Sequence, residues 1–325
     1  MNNYNAVSTV ECTAQGKFFS PPAQQRKKDR DKRASWMIQA AMAKRKKPGR
    51  HGRPARNPGA ADGEHEVLKR TNKSGELWLY GGHACVAAIA NPERDIRRIV
   101  MATQSADDLE APVCDAANAA FEACQTPRPQ IEWRDRREVN DLLPRDAVHQ
   151  GICIETVPLP HPEIEDLIDA AKGQSSACVV VLDQATDPRN IGAVMRTAAA
   201  FGALGVVVQD KHAPDITGAM AKAASGAVEH LPYIKVTNLA RTLDQLKSAE
   251  FWCVGFDGHT DHELTAKTLH GRNALVLGAE GAGLRRLTRE TCDLLVKIPM
   301  STAVESFNLS NAAAIALYQF AQSNR

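Results

Sequence analysis

The feature that most restricts the fold is ACVVVLDQ, residues 177–184, an apolar run too short for a buried helix and ended by polar residues. Such a run reads as a strand covered on both faces, the mark of a parallel sheet. The pattern then repeats. A small-residue helix over 190–201 leads to strand GVVVQD, helix ITGAMAKAASGAVEHL to strand YIKV, and helix NLARTLDQLKSA to strands FWCVGFD and NALVLG. Helix LRRLTRETC leads to LLVKIPM, and a last helix, NAAAIALYQFAQ, follows. The spacing predicts a parallel-sheet α/β fold for residues 177–325 but leaves the strand order open.

A second alternation precedes it. ELWLYG, DIRRIVMAT, IEWRDR and GICIETVPL read as strands, and HACVAAIANP, DDLEAPVCDAANAAFEAC and REVNDLLP as helices. Residues 74–158 are therefore expected to form a small α/β domain, joined by a Pro-punctuated linker at 159–176. Residues 1–73 read as a disordered basic tail. Between 26 and 56, thirteen Lys and Arg face only Asp29 and Asp31, an excess of eleven positive charges. The whole chain carries +2 and residues 1–25 balance, so residues 57–325 sum to −9. A polycationic Pro/Gly-bearing stretch cannot bury enough surface to order itself. A polyanion, most simply nucleic acid, is its natural partner, with a merely solvating tail as the alternative.

Other classes are disfavoured. No run approaches the roughly 18 apolar residues of a membrane span, and the N-terminal residues hold no apolar signal-peptide core. Eight cysteines stand singly at 12, 85, 114, 124, 153, 178, 253 and 292 with no C-x-x-C pair, as in a reducing cytosol. A cytoplasmic protein without membrane contact is expected.

Three segments carry polar residues where a core would not want them. In DPRNIGAVMRTAAAFGALGVVVQD, residues 187–210, Asn190 is placed to cap a helix, and Arg196 interrupts an otherwise apolar face. Six residues put Arg196 about 240° round from Asn190, so the two do not share a face, although an arginine reaching toward the helix N-terminus could still approach it. A cap plus a solvent-facing arginine explains this stretch equally well. In NALVLGAEGAGL, residues 273–284, a strand runs into Gly278, Gly281 and Gly283 around Glu280. The order G-x-x-G-x-G is not the dinucleotide fingerprint, and no Lys-Ser/Thr follows to make a P-loop. What remains is backbone able to approach a ligand at the carboxyl end of a strand, or an ordinary turn. In KIPMSTAVESFNLSNAAAIALY, residues 297–318, Ser306 and Asn308 stand two apart, so an extended backbone would aim both to one side, and Ser310 reads as the helix cap.

Together, NIGAVMRTAAAFGA, LGAEGAGL and IPMSTAVESFNLSNAAA resemble, in this order and spacing, the three motifs of the TrmH (SpoU) family of RNA 2′-O-methyltransferases. The resemblance extends over residues 75–325. LWLYGGHACVAAI and HQGICIETVPLP look like that family's RNA-binding domain and its exit strand, and AKAASGAVEHLPYIKVTNLA is similar to the branch that acts on a guanosine of 23S rRNA. The resemblance implies a SPOUT domain with a deep trefoil knot, and S-adenosylmethionine bound within the knot. Leu277, Gly278, Gly281, Ile298, Met300, Phe307 and Leu309 stand at the implied cofactor positions. Asn190, Arg196, Glu280, Ser306 and Asn308 stand at the implied polar site. A homodimer through the knotted domain, with residues of both chains approaching one site, is implied as well. Ribosomal RNA is the first expectation for the substrate and transfer RNA the second.

The three motifs hold no His, Cys or Lys, so an ordinary titrating base is missing. A guanidinium does not surrender its proton. The expectation for Arg196 is therefore a fixed donor that stabilises a developing alkoxide. Thr302 stands where the family has glycine, and Glu305 where it has a small or neutral residue. A nicotinamide-dependent oxidoreductase is disfavoured by the glycine order, and a non-catalytic RNA-binding factor by the intact polar set. His259 and His262 with Asp261 could suggest a metal, but such a loop is more often plain surface, and no metal is expected.

Overall fold

A computed structural model describes residues 76–324 except 212, 266 and 302–305. The basic segment, Thr302 and Glu305 thus lie outside the described residues.

The first sheet has four strands, β1 (Leu77–Tyr80), β2 (Ile96–Ala102), β3 (Ile131–Arg134) and β4 (Ile152–Thr156), in the order β1-β4-β2-β3. β4 runs antiparallel to β1 and β2, and β3 is parallel to β2. The alternation of side chains along these strands divides the sheet into two faces. Leu79, Ile99, Met101, Ile152 and Ile154 pack with α1 (Gly82–Ala90) and with Val113 and Ala116 of α2 (Ala106–Cys124). Tyr80, Val100, Ala102 and Cys153 belong to a separate cluster with Val139 and Leu143, from α3 (Arg136–Asp141) and the turn after it. α3 is only six residues long and owes its start to a capping box. Asp135 accepts from the Arg137 and Glu138 amides, and the Glu138 side chain accepts from the Asp135 amide.

After α4 (Ile164–Ala171) the second sheet begins. Its strands are β5 (Ala177–Leu182), β6 (Gly205–Gln209), β7 (Tyr233–Val236), β8 (Trp252–Phe256), β9 (Arg272–Leu277) and β10 (Leu294–Val296). All pairings are parallel, in the order β10-β8-β9-β5-β6-β7. Every residue of β5 is buried, as its unbroken apolar run requires. Val179, Val181, Val207 and Val276 face α4 and α7 (Leu239–Ser248). Val180, Leu182, Val206, Val208 and Leu275 face α5 (Pro188–Ala200), α6 (Gly218–Ala224) and α9 (Leu309–Ser323). The short α8 (Arg286–Thr291) lies between β9 and β10.

The second sheet's α5–α6–α9 side and the first sheet's α1–α2 side belong to one continuous hydrophobic core. ITGAMAKAASGAVEHL is not one helix. α6 stops at Ala224, Ser225 and Gly226 take left-handed backbone angles, and a 3-10 turn covers Ala227–Glu229. Ser225-Gly226 is a local stop signal, and a tertiary contact demands the glycine. A Cβ on Gly226 would come within 2.7 Å of the Ala87 methyl of α1, so only glycine allows this approach. Beside that contact, Arg94 and Glu229 form a buried ion pair. Arg94 Nη1 also donates to the Val157 carbonyl at 3.0 Å, and Asn91 Nδ2 to Glu229 at 2.9 Å. Arg128 closes the cluster from behind, donating to the carbonyls of Ile89, Asn91 and Arg94.

Candidate active site

The carboxyl ends of β5 and β9 and the start of α9 bring the polar candidates together. α5 begins two residues before Asn190. Pro188, with its preset φ and no amide proton, suits the first helical position, and Asp187 is the cap, accepting from the Arg189 amide at 2.9 Å. Asn190 therefore lies in the first turn, its side chain free for other work. At α9 the cap is Asn308 rather than Ser310. Its Oδ1 accepts from the Ser310 amide at 2.9 Å and from the Ser310 hydroxyl at 2.6 Å.

Between β9 and α8 the chain folds back on itself. The Gly283 amide donates to the Ala279 carbonyl at 2.9 Å, and Gly281 and Gly283 take φ of 76° and 65°. A Cβ on Gly278 would lie 2.1 Å from the Gly283 carbonyl carbon, so no other residue fits there. The loop is fixed at its far end by Asp183, which follows β5 and is fully buried. Its carboxylate accepts from the Arg285 amide at 3.0 Å and from Arg285 Nε at 2.7 Å.

This fold-back aims Glu280 at two asparagines. Glu280 Oε1 accepts from Asn190 Nδ2 at 2.7 Å, from Asn308 Nδ2 at 2.7 Å and from the Leu309 amide at 3.3 Å. Asn308 Nδ2 also reaches Asn190 Oδ1 at 3.1 Å. Two segments distant in sequence thus fix one carboxylate oxygen, while Oε2 has no hydrogen-bond donor among the described residues. A carboxylate held this way is a pre-oriented negative charge.

Next to it is a cavity of about 260 Å³. Leu277, Gly278, Gly281, Ile298, Met300, Phe307 and Leu309 all line it, as do Glu280 and Ser306. Asn190 and Asn308 do not, so Ser306 and Asn308 are parted: the serine borders the cavity while the asparagine turns to Glu280. Arg196 is exposed on α5, makes no hydrogen bond or ion pair among the described residues, and does not line the cavity. Six helical residues carry it about 9 Å along the axis from Asn190.

The sequence reading missed two carboxylates, Asp183 and Asp257. Asp257, at the end of β8, is 8% exposed, lines the cavity and pairs with Arg289 of α8. Its one signal in the sequence was an acidic residue directly after an apolar strand. His259 also lines the cavity, whereas the His262 carbonyl accepts from the Lys297 amide. Among the described residues no group of three or more His, Cys, Asp or Glu could hold a metal ion, and no helix is long and apolar enough to cross a membrane.

Fold and site define a parallel α/β domain whose glycine loop and final helix enclose a ligand cavity at the carboxyl ends of the strands. The family model described as SpoU rRNA Methylase matches residues 177–318. Over 244 residues the chain is 39% identical to the 23S rRNA (guanosine-2′-O-)-methyltransferase RlmB of Vibrio vulnificus, covering 74% of this chain and 95% of that one. It is 37% identical over 242 residues to an uncharacterized tRNA/rRNA methyltransferase of Synechocystis sp., covering 74% of this chain but only 61% of that one. The crystal structure of the SpoU methyltransferase AviRb from Streptomyces viridochromogenes in complex with AdoMet aligns with a TM-score of 0.59 at 22% identity, over 80% of this chain and 93% of that one. The chain belongs to the SpoU rRNA methylase family, a family of RNA methyltransferases.

Proposed function

We propose that this protein transfers a methyl group from S-adenosylmethionine to the 2′-hydroxyl of a guanosine ribose in 23S rRNA, and that it does so as a homodimer through a trefoil-knotted domain. The observation that carries this reading is the cavity: all seven residues at the family's cofactor positions border it, with Glu280 and Ser306 at its edge. The substrate assignment draws on the activity for which the Vibrio relative is named, and the cofactor on the AdoMet complex of AviRb.

The residues present fit the cofactor. Leu277, Ile298, Phe307 and Leu309 offer apolar wall, the glycine loop permits close backbone approach, and Glu280 supplies negative potential for a sulfonium. Bound there, S-adenosylmethionine supplies an electrophilic methyl group. The chain's own contribution is placement and charge. Glu280, held by Asn190 and Asn308, fixes the cavity edge on the side of α5. Arg196 acts as a donor to the ribose oxygen as negative charge develops on it, the proton leaving to phosphate or water. Its exposure, and its lack of a partner among the described residues, suit a residue that completes the cavity of a second copy. Tyr318 of α9, in edge-on contact with Phe201, is 53% exposed, and an exposed aromatic on α9 supports that reading.

The test is incubation with methyl-labelled S-adenosylmethionine and ribosomal or transfer RNA, followed by alkaline digestion. An alkali-resistant labelled dinucleotide beginning with guanosine, obtained from 23S rRNA, is the expected product. Label in a base refutes the chemistry, and label only in tRNA refutes the substrate. Arg196→Lys should lower kcat while cofactor binding is kept. Undiminished turnover would remove the guanidinium from the reaction.

A further inference from the structure

Asp183 grips both ends of the glycine loop without bordering the cavity. It follows β5, is fully buried, and is absent from the cavity wall, as is Arg285. Its own amide donates to the carbonyl of Leu277, the last residue of β9, at 2.8 Å. Its carboxylate holds Arg285, the residue before α8. The Arg285 amide donates to Oδ2 at 3.0 Å, and Nε and Nη2 both approach Oδ1 to 2.7 Å. Between the two grips the chain folds back through the amides of Ala282 and Gly283, which donate to the Glu280 and Ala279 carbonyls at 2.9 Å. The next residue, Gln184, takes a left-handed φ of 60°, a region that favours glycine. That turn leads the chain from Asp183 toward Asp187 and the first turn of α5, where Asn190 reaches Glu280 at 2.7 Å. Asp183 is thus the common anchor of the loop that carries Glu280 and the segment that carries Asn190.

We propose that Asp183 is a positioning residue for methyl transfer: with Arg285 it sets the shape of the cofactor loop and the place of Glu280 against Asn190, touching neither cofactor nor substrate. The proposal rests on the reading of the cavity as the S-adenosylmethionine site. A fully buried carboxylate is costly unless its charge is met, so Arg285 is drawn to it and the loop end comes along. Because the amide occupies one oxygen and the guanidinium the other, the carboxylate cannot turn without breaking a charge-assisted bond. An asparagine at 183 could still accept from the Arg285 amide but would not hold the guanidinium as an anion does.

The test compares the full-length wild type with Asp183→Asn, with Asp183→Asn/Arg285→Gln, and with Arg286→Gln, a control that loses a surface pair with Glu290. In ligand-free Asp183→Asn the Gly283 amide should exchange its hydrogen at least about tenfold faster than in the wild type. S-Adenosylmethionine affinity by calorimetry and kcat should each fall by about tenfold or more, because small misplacements near a reacting centre are costly. KM for RNA should stay at the wild-type level. The double variant leaves no buried charge unpaired, so its urea midpoint should return toward wild type while the losses in affinity and kcat remain. Should Asp183→Asn fail to fold, the double variant carries the same readouts. Recovery of affinity and kcat along with stability would reduce Asp183 to a support of the fold and overturn the assignment. Wild-type exchange at Gly283 in Asp183→Asn, or equal losses in Arg286→Gln, would overturn it as well. A wild type that binds no S-adenosylmethionine, with Gly283 exchange still governed by Asp183, would sink the methyltransferase reading and leave the grip on the loop standing.

Discussion

Arg94 and Glu229 lie 135 residues apart and close on each other through two hydrogen bonds, 3.1 Å from Nε and 2.7 Å from Nη2, with both side chains buried. The pair joins the turn before β2 to the turn after α6, so it ties the two sheets together. Removing one partner leaves the other as an uncompensated buried charge. Arg94→Met should therefore destabilise the chain by about 3–5 kcal/mol, while Arg94→Met/Glu229→Met should recover much of that loss. Urea unfolding monitored by circular dichroism checks both, and a single-variant loss below about 1 kcal/mol would contradict the burial argument.

Glu280 draws three donors onto one oxygen. In Glu280→Gln an amide replaces the anion, and hydrogen bonds to a charged group contribute about 1.5–3 kcal/mol. Methyl transfer should fall on the order of 10- to 100-fold. Global stability should hardly change, because the bonded groups are solvent-exposed at the cavity edge. A double-mutant cycle of Asn190→Ala and Asn308→Ala should show coupling, since the two amides also touch each other at 3.1 Å.

At Gly278 a single methyl group is the test. Its carbon would sit 2.1 Å from backbone, where no flexible side chain can move aside, so the loop over 278–284 must shift. Gly278→Ala should weaken S-adenosylmethionine binding at least tenfold by calorimetry. Affinity equal to wild type would mean that the fold-back does not shape the cofactor cavity.

His149 should make stability depend on pH. It is buried, its Nδ1 accepts from the Gly151 amide at 3.1 Å, and Nε2 donates to Asn140 Oδ1 at 3.0 Å. Burial is the main cause that lowers its pKa, followed by the positive charges of Arg136 and Lys222. The folded form thus binds the proton less readily than the unfolded chain. The stability is fully present above about pH 6.5, the ordinary imidazole value, and is lost as pH falls toward and through the lowered folded value. Tm measured from pH 8 to pH 5 should drop for the wild type, and the part of that drop due to the imidazole should vanish in His149→Gln.

Thiol labelling separates the cysteines by burial. Cys114 and Cys124 are exposed, whereas burial pushes Cys153 and Cys253 up to about 12 and raises Cys85 and Cys178 as well. At pH 8 a maleimide should modify Cys114 and Cys124 well before these four, read by peptide mass mapping.

Much of the parallel sheet could be read directly because its strands are buried on both sides and so carry unbroken apolar runs, as at ACVVVLDQ. Local chemistry was harder to place. Asn190 and Ser310 both looked like caps, but Asp187-Pro188 starts one helix earlier, and Asn308 holds Ser310 by its amide and hydroxyl. The break after Ala224 does have a local signal, Ser225-Gly226, which the continuing small and apolar residues on either side obscure, and the Ala87 methyl of α1 then leaves room only for glycine. Asp183 and Arg285 meet across 102 residues, a distance over which residue spacing carries no information about contact. The cavity residues are legible through motif resemblance, whereas the parting of Ser306 from Asn308 depends on Glu280, 28 residues away, drawing the Asn308 amide to itself.

The strand order β10-β8-β9-β5-β6-β7 also bears on how the chain is synthesised. β5, β6 and β7 are consecutive neighbours and can zip together as they leave the ribosome. β9 must then take the place beside β5, with β8, made earlier, on its outer flank. During the interval in which residues 239–271 emerge, β5 offers an unpaired backbone edge flanked by apolar side chains. Ribosome pausing in that window would expose the nascent polypeptide to aggregation and to chaperone capture, more than pausing anywhere later.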